Sequence, residues 1–220
     1  MSGLGDRLFV GMQHLLPQHA LSRGMHALAR TRARPVKNLI IRSFLRLYAV
    51  NMAEAEHADP AAYASFNDFF TRALKPGARP IDAAPDAVAC PVDGVVSQAG
   101  GIRDDRLLQA KGIDYGVAAL LGGDEALARE FEGGVFATVY LAPFNYHRIH
   151  MPLPGTLRRA RYVGGDLFSV NAATAAGVPG LFARNERIAC AFDTPAGPMA
   201  VVLVGALFVG SMSLSFAGEV

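Results

Sequence analysis

The residues best suited to chemistry lie in the run Tyr146-His147-Arg148-Ile149-His150-Met151-Pro152, which follows a predicted strand and a Pro143-Phe144-Asn145 turn. An imidazole titrates near neutrality, so either histidine can move protons as a general acid or base. Two histidines three apart share a face on a helix but point to opposite faces of a strand, which argues against a zinc pair here. The second candidate is Asp93, in Cys90-Pro91-Val92-Asp93-Gly94-Val95-Val96, a carboxylate at a turn between apolar residues. Taken alone, an Asp-Gly pair reads as a turn cap.

Several chemistries have no motif in the chain. There is no GxGxxG dinucleotide loop, no GxxxxGK[ST] phosphate loop, no GxSxG nucleophile elbow and no HExxH metal helix. The Asp93-Gly94-Val95-Val96 run has some likeness to carrier modules, but no Lys stands where an attached cofactor would need it. Cys90 and Cys190 are the only cysteines, without the spacing of a metal site or a disulfide framework, and both are expected to be buried thiols.

These side chains must be positioned by a chain of 220 residues that is 51% hydrophobic, enough for a sizeable core. Leu4, Leu8, Phe9, Met12, Leu15 and Leu16 recur at helical spacing up to Pro17. A second amphipathic helix is predicted from about Lys37 to Val50, and a short one over Ser65 to Arg72, ended by Lys75-Pro76-Gly77. From Ala87 onward short β-type runs prevail: Val95 to Gln98, Val135 to Leu141, Leu157 to Val163, Ile188 to Phe192 and Met199 to Val209. One helix is expected around Tyr115 to Phe131, with Gly pairs at Gly122-Gly123 and Gly133-Gly134 as its bounds or interruptions. Helices first and strands afterwards give an α+β class, with a helical region over 1–80 and a β-rich domain over 81–220.

Charge divides the chain in the same place. Residues 1–50 hold seven Arg and one Lys against Asp6, a balance of +7 in a chain whose total is +2. A basic amphipathic helix can pack on its own protein, lie in a membrane surface or meet nucleic acid, and composition leaves all three open. No apolar run reaches the roughly 18 residues of a spanning helix, and the first residues lack the pattern of a secretory signal.

Ordered blocks carry a resemblance beyond these patterns. FNDFFTR at 66–72, PVDGVVSQ at 91–98, YHRIHMP at 146–152, GDLFSVN at 165–171, LFARNER at 181–187 and GPMAVVLVGALFVGS at 197–211 together resemble prokaryotic phosphatidylserine decarboxylase over nearly the whole chain. The resemblance implies that Asp93 and His150 serve, with a downstream Ser, as a triad used once to cut the chain before that Ser. The cut would leave a pyruvoyl group as the covalent cofactor and a small pyruvoyl-bearing subunit. His147 matches the histidine assigned to decarboxylation, and Tyr140, Ser169 and Val170 match positions near the substrate head group. No metal is implied.

The same resemblance implies phosphatidylserine as substrate, an anionic membrane surface as docking partner for residues 1–80, a homodimer, and a peripheral place on the cytoplasmic face of the inner membrane, with no nucleic-acid partner. The Leu-Gly-Ser-Thr cleavage motif of the family is not found in these residues, so the expectation is a C-terminally incomplete proenzyme, inactive by itself. Alternatives are a non-catalytic membrane-binding remnant and a pyruvoyl decarboxylase of a related serine phospholipid.

Overall fold

A computed structural model describes residues 3–84, 86–110 and 112–219. Four helices come first: α1 (Leu4–Leu15), α2 (Gln18–Ala29), α3 (Arg34–Leu47) and α4 (Phe66–Phe70). Pro17 ends α1 as expected, because a residue before proline is driven out of the helical region; Leu16 has φ −74°, ψ 138°. The chain resumes at once as α2, which the sequence reading left out. Helix α3 opens with Pro35 in its first turn, where a missing N–H costs nothing, so it starts before Lys37 and ends before Val50. Ser65 caps α4 by accepting from the Asp68 N–H at 3.1 Å.

Strands and short helices follow: β1 (Val95–Gly101), β2 (Arg106–Ala110), β3 (Ile113–Gly116), α5 (Val117–Leu120), α6 (Glu125–Arg129), β4 (Val135–Tyr140), β5 (Thr156–Val163), α7 (Ala172–Gly177), α8 (Leu181–Arg184), β6 (Arg187–Thr194), β7 (Gly197–Val204), β8 (Ser213–Leu214) and β9 (Gly218–Glu219). The fold is mixed α+β. The helix expected around Tyr115 to Phe131 is two short helices, separated at Gly122 and Gly123, whose φ angles of +79° and +84° suit glycine. Tyr115 itself belongs to β3. Strand β7 stops at Val204, short of the expected Val209.

Helices give way to strands between α4 and β1, either side of residue 80. Contacts group the chain otherwise, into two compact units. The first comprises residues 1–24, 96–140 and 155–220. Its largest sheet is antiparallel, in the order β5-β6-β7, with β2-β3 a separate hairpin and β1 paired with β4. Ile102, Leu107, Tyr115, Val117, Leu121, Phe168, Val178, Leu181 and Phe182 form its core.

The second unit comprises residues 25–95 and 141–154. Ile41 of α3, Tyr63 and Phe69 of α4 are its buried centre, with Phe44, Leu45, Val50, Met52 and Phe66 packed against them. Phe44 makes edge contacts with Phe66, Phe69 and Phe70, so the FNDFF sequence is chiefly an aromatic plug for the α3 face. Of the cysteines, Cys190 is buried in β6 as expected. Cys90 is exposed, because its segment lies at the surface of this unit rather than in a sheet core.

Candidate active site

Two motif segments meet in the second unit. The His150 N–H donates to the Pro91 carbonyl and the Ala89 N–H to the Pro152 carbonyl, both at 2.8 Å. This pair of bonds is an antiparallel register with Cys90 opposite Met151, and it fixes the Asp93 turn alongside the histidine run. The preceding turn is as predicted: the Asn145 N–H donates to the Ala142 carbonyl at 2.9 Å, and the Asn145 side chain accepts the Ala142 N–H at 2.8 Å. The residues after it lie in neither a helix nor a strand.

His147 packs on Phe70, ring centroids 3.9 Å apart. Its Nδ1 lies 2.9 Å from the Asn145 carbonyl oxygen. A carbonyl only accepts, so Nδ1 carries the proton and donates, leaving the lone pair on Nε2. Burial pushes His147 down to about 4, against a smaller opposing contribution from the Asn145 bond and with the nearby Arg72 charge adding to the depression. Near pH 7 the ring is therefore neutral and Nε2 is a base.

His150 is in a different setting. It is exposed, its Nε2 is 2.9 Å from the Tyr146 hydroxyl, and the two rings stack with centroids 5.6 Å apart. Among the described residues it shares no hydrogen bond with Asp93. Both Asp93 oxygens are held by Arg79, Nε to Oδ1 at 2.9 Å and Nη2 to Oδ2 at 2.6 Å, and Arg79 also reaches Glu54 at 2.9 Å. That fork-on-carboxylate bond holds the Asp93 carboxyl below its ordinary range, so Asp93 is ionised across the physiological range. The structure thus brings Asp93 and His150 onto neighbouring, hydrogen-bonded segments, with the carboxylate occupied by an arginine.

Tyr140, Ser169 and Val170 belong to the first unit. Tyr140 ends β4, and Ser169 and Val170 lie in the segment between β5 and α7. That segment is pinned by two glutamines: the Ser169 N–H donates to Gln13 Oε1 at 2.8 Å and the Leu167 N–H to Gln18 Oε1 at 2.7 Å. Gln13, 3% exposed, also donates to Thr174 Oγ1 at 3.0 Å. Asn185 completes the frame, accepting from the Phe168 N–H and donating to the Phe168 and Gly205 carbonyls. Gly165 is required where this segment passes Arg184, whose carbonyl oxygen would stand 2.1 Å from an added Cβ.

Comparison with known proteins turns this geometry into a family assignment. A family model described as phosphatidylserine decarboxylase matches residues 66–220, and another, described as PSD, matches residues 8–49. A phosphatidylserine decarboxylase proenzyme of Delftia acidovorans is 58% identical over 217 residues, 99% of this chain and 76% of that protein. The proenzyme of Bordetella pertussis is 57% identical over 98% of this chain and 72% of its own length, and that of Pseudomonas entomophila 58% over 98% and 75%. The chain belongs to the phosphatidylserine decarboxylase family.

Family blocks and structural roles coincide unevenly. YHRIHMP and PVDG carry the histidines and Asp93, and GDLFSVN forms the segment held by Gln13 and Gln18. FNDFFTR contributes Phe70, the face on which His147 packs. Arg72, Arg79, Phe70 and Tyr146 are the partners that sequence reasoning missed. Of these only Tyr146 had a local signal, its place four residues before His150.

Proposed function

We propose that this decarboxylase-family chain converts phosphatidylserine to phosphatidylethanolamine and carbon dioxide, as the larger part of a proenzyme that cuts itself once before a downstream Ser. The observation that carries the reading, given the family, is the backbone-bonded pairing of the Asp93 turn with the His147/His150 run, which holds one neutral, half-buried imidazole and one exposed imidazole. A pyruvoyl carbonyl formed at that Ser supplies the electron sink for loss of the carboxylate. The residues present suit such a group: decarboxylation at an amino acid needs a neutral base for the substrate ammonium, and His147 Nε2 holds a free lone pair.

His147 Nε2 takes a proton from the substrate and returns one to the α-carbon after carbon dioxide leaves. Its resting state is the base, so the acid it later becomes is loaded by the substrate itself. His150 acts in the cut, removing the Ser proton. Asp93 orients that imidazole, which requires the Arg79 pair to open or to share the carboxylate. Tyr140, Ser169 and Val170 match family positions near the substrate head group, and on this reading they contribute to its recognition.

Membrane docking fits the surface of α1. Leu4, Leu8, Met12 and Leu15 are 77%, 65%, 57% and 86% exposed, and at this spacing they form one apolar stripe. In a segment whose first fifty residues carry +7, such a stripe suits an anionic lipid surface. No described helix is long and apolar enough to cross a membrane. On the same reading the protein works as a homodimer with the small pyruvoyl-bearing subunit, peripheral on the cytoplasmic face of the inner membrane.

The test separates the two histidines in a proenzyme that includes the downstream Ser. His150→Ala stays an uncut single chain. His147→Ala is cut, yet releases carbon dioxide ~100-fold to 10,000-fold more slowly. The reverse pattern on gels and in carbon dioxide release would show the two roles to be exchanged, and loss of neither would remove both residues from the mechanism.

A further inference from the structure

Among the described residues, the only buried side-chain polar atoms without a hydrogen-bond partner are Nε and Nη1 of Arg72. Arg72, at the end of the FNDFFTR block, is 4% exposed. Its guanidinium lies 5.6 Å from the centre of the Phe69 ring, and no described carboxylate is within ion-pair distance. Its only side-chain hydrogen bonds run from Nη2 to the carbonyl oxygens of Phe144, at 3.2 Å, and Asn145, at 3.4 Å. A buried, uncompensated cation is costly, and a fold keeps one where its charge or its donors are needed.

The place of need is one shared carbonyl away. The Asn145 carbonyl that accepts from Arg72 is the same carbonyl that accepts from His147 Nδ1. A reciprocal bond steadies the pair of segments: Arg148 Nε donates to the Thr71 carbonyl at 2.8 Å. We propose that Arg72 is a positioning residue for His147: it fixes the carbonyl that selects the Nδ1–H tautomer and sets a permanent positive charge beside the ring. This rests on the proposed catalytic role of His147 Nε2.

The groups acting on the imidazole are few. Phe70 covers one face, Asn145 offers its carbonyl, and Arg72 is the charged group that lowers the His147 pKa beyond burial. Around Arg72 itself stand Tyr63, Asp93, Glu54 and Arg79, all acting at longer range. The Arg72 charge also favours the ionised form of Asp93. A single buried cation thus biases the two site groups oppositely, toward neutral imidazole and charged carboxylate, the states their proposed roles require.

Arg72→Gln and Arg72→Lys, made in the self-processed enzyme, test this by NMR titration of the His147 ring, with ring-nitrogen shifts reporting the tautomer, beside the pH profile of decarboxylation. Loss of the charge in Arg72→Gln removes the smallest of the three influences on the ring, so the His147 midpoint rises above about 4 but burial still holds it below its ordinary value, and the acid limb of the rate profile moves up by the same small step. Arg72→Lys keeps the midpoint low. An unchanged midpoint in folded Arg72→Gln overturns the proposal, as does a midpoint near the ordinary value in Arg72→Lys, which decides the matter if the Gln variant does not fold. A shifted titration with an unshifted rate profile supports the action of Arg72 on the ring and places the failure in the catalytic assignment of His147.

Discussion

At the scale of residues, Asp93 is gripped by an arginine rather than by the histidine it is expected to orient. The Arg79 fork keeps the carboxylate charged, and its contribution to stability has a definite pH sign. A folded-state pKa below the ordinary 3.8 means stability present above that value and lost as pH falls through the lowered one. Arg79→Met should therefore lose at most about 1 kcal/mol near pH 7, since Arg79 is well exposed, and the difference from the parent should vanish toward pH 2. Urea unfolding at several pH values checks it; an undiminished difference in strong acid would mean that Asp93 is not the partner that matters. Asp93, His147 and His150 were legible only as candidates, because their types and local runs stand out. Arg79 and Phe70 were not, since residues 14 and 77 positions away from their partners in sequence are joined only by the folded chain.

At the scale of elements, hydrophobic spacing found α1, α3, α4 and the β5-β6-β7 sheet. It failed where a buried position is polar. In β2 the inward residues are Leu107 and Gln109, and the amide donates to the Ala175 and Val178 carbonyls while accepting the Leu181 N–H. The hairpin β2-β3 consequently shows no apolar alternation. Gln13 hides in the same way on α1, where apolar spacing marks the helix but several of the largest apolar residues are exposed and the buried residue is the amide. Gln13→Leu takes the Ser169 N–H's acceptor away and leaves the Thr174 hydroxyl with its Asn171 bond alone, and should cost about 1–3 kcal/mol in thermal or urea unfolding. A neutral result would show that water replaces the amide.

At the scale of the whole molecule, the charge asymmetry and the blocks were readable, whereas the interleaving of two compact units was not, because a unit assembled from residues 1–24, 96–140 and 155–220 leaves no mark at one point of the sequence. The interleaving also governs how membrane docking is tested. Removing residues 1–50 would take Ile41 from one core and the Gln13 latch from the other unit, so point changes on the exposed stripe are cleaner. Leu8→Asp with Leu15→Asp should weaken cosedimentation with anionic liposomes, each basic residue near the surface still contributing on the order of 1 kcal/mol, and added salt should weaken the parent's binding. Undiminished binding by the double variant would move the docking surface elsewhere.

In the proposed function, decarboxylation of phosphatidylserine uses a carbonyl made from a downstream Ser. Its most direct measurement compares the 220-residue polypeptide with one extended through a Leu-Gly-Ser-Thr motif, assaying hydrazine-reactive carbonyl by mass spectrometry together with phosphatidylethanolamine and carbon dioxide formed from phosphatidylserine. The extended protein should be cut, carry the carbonyl and turn over, while the shorter one does none of these, because acid and base groups alone cannot stabilise the carbanion left by carbon dioxide. Turnover by the 220-residue form, or a cut and carbonyl-bearing extended form that leaves phosphatidylserine unchanged, would contradict it.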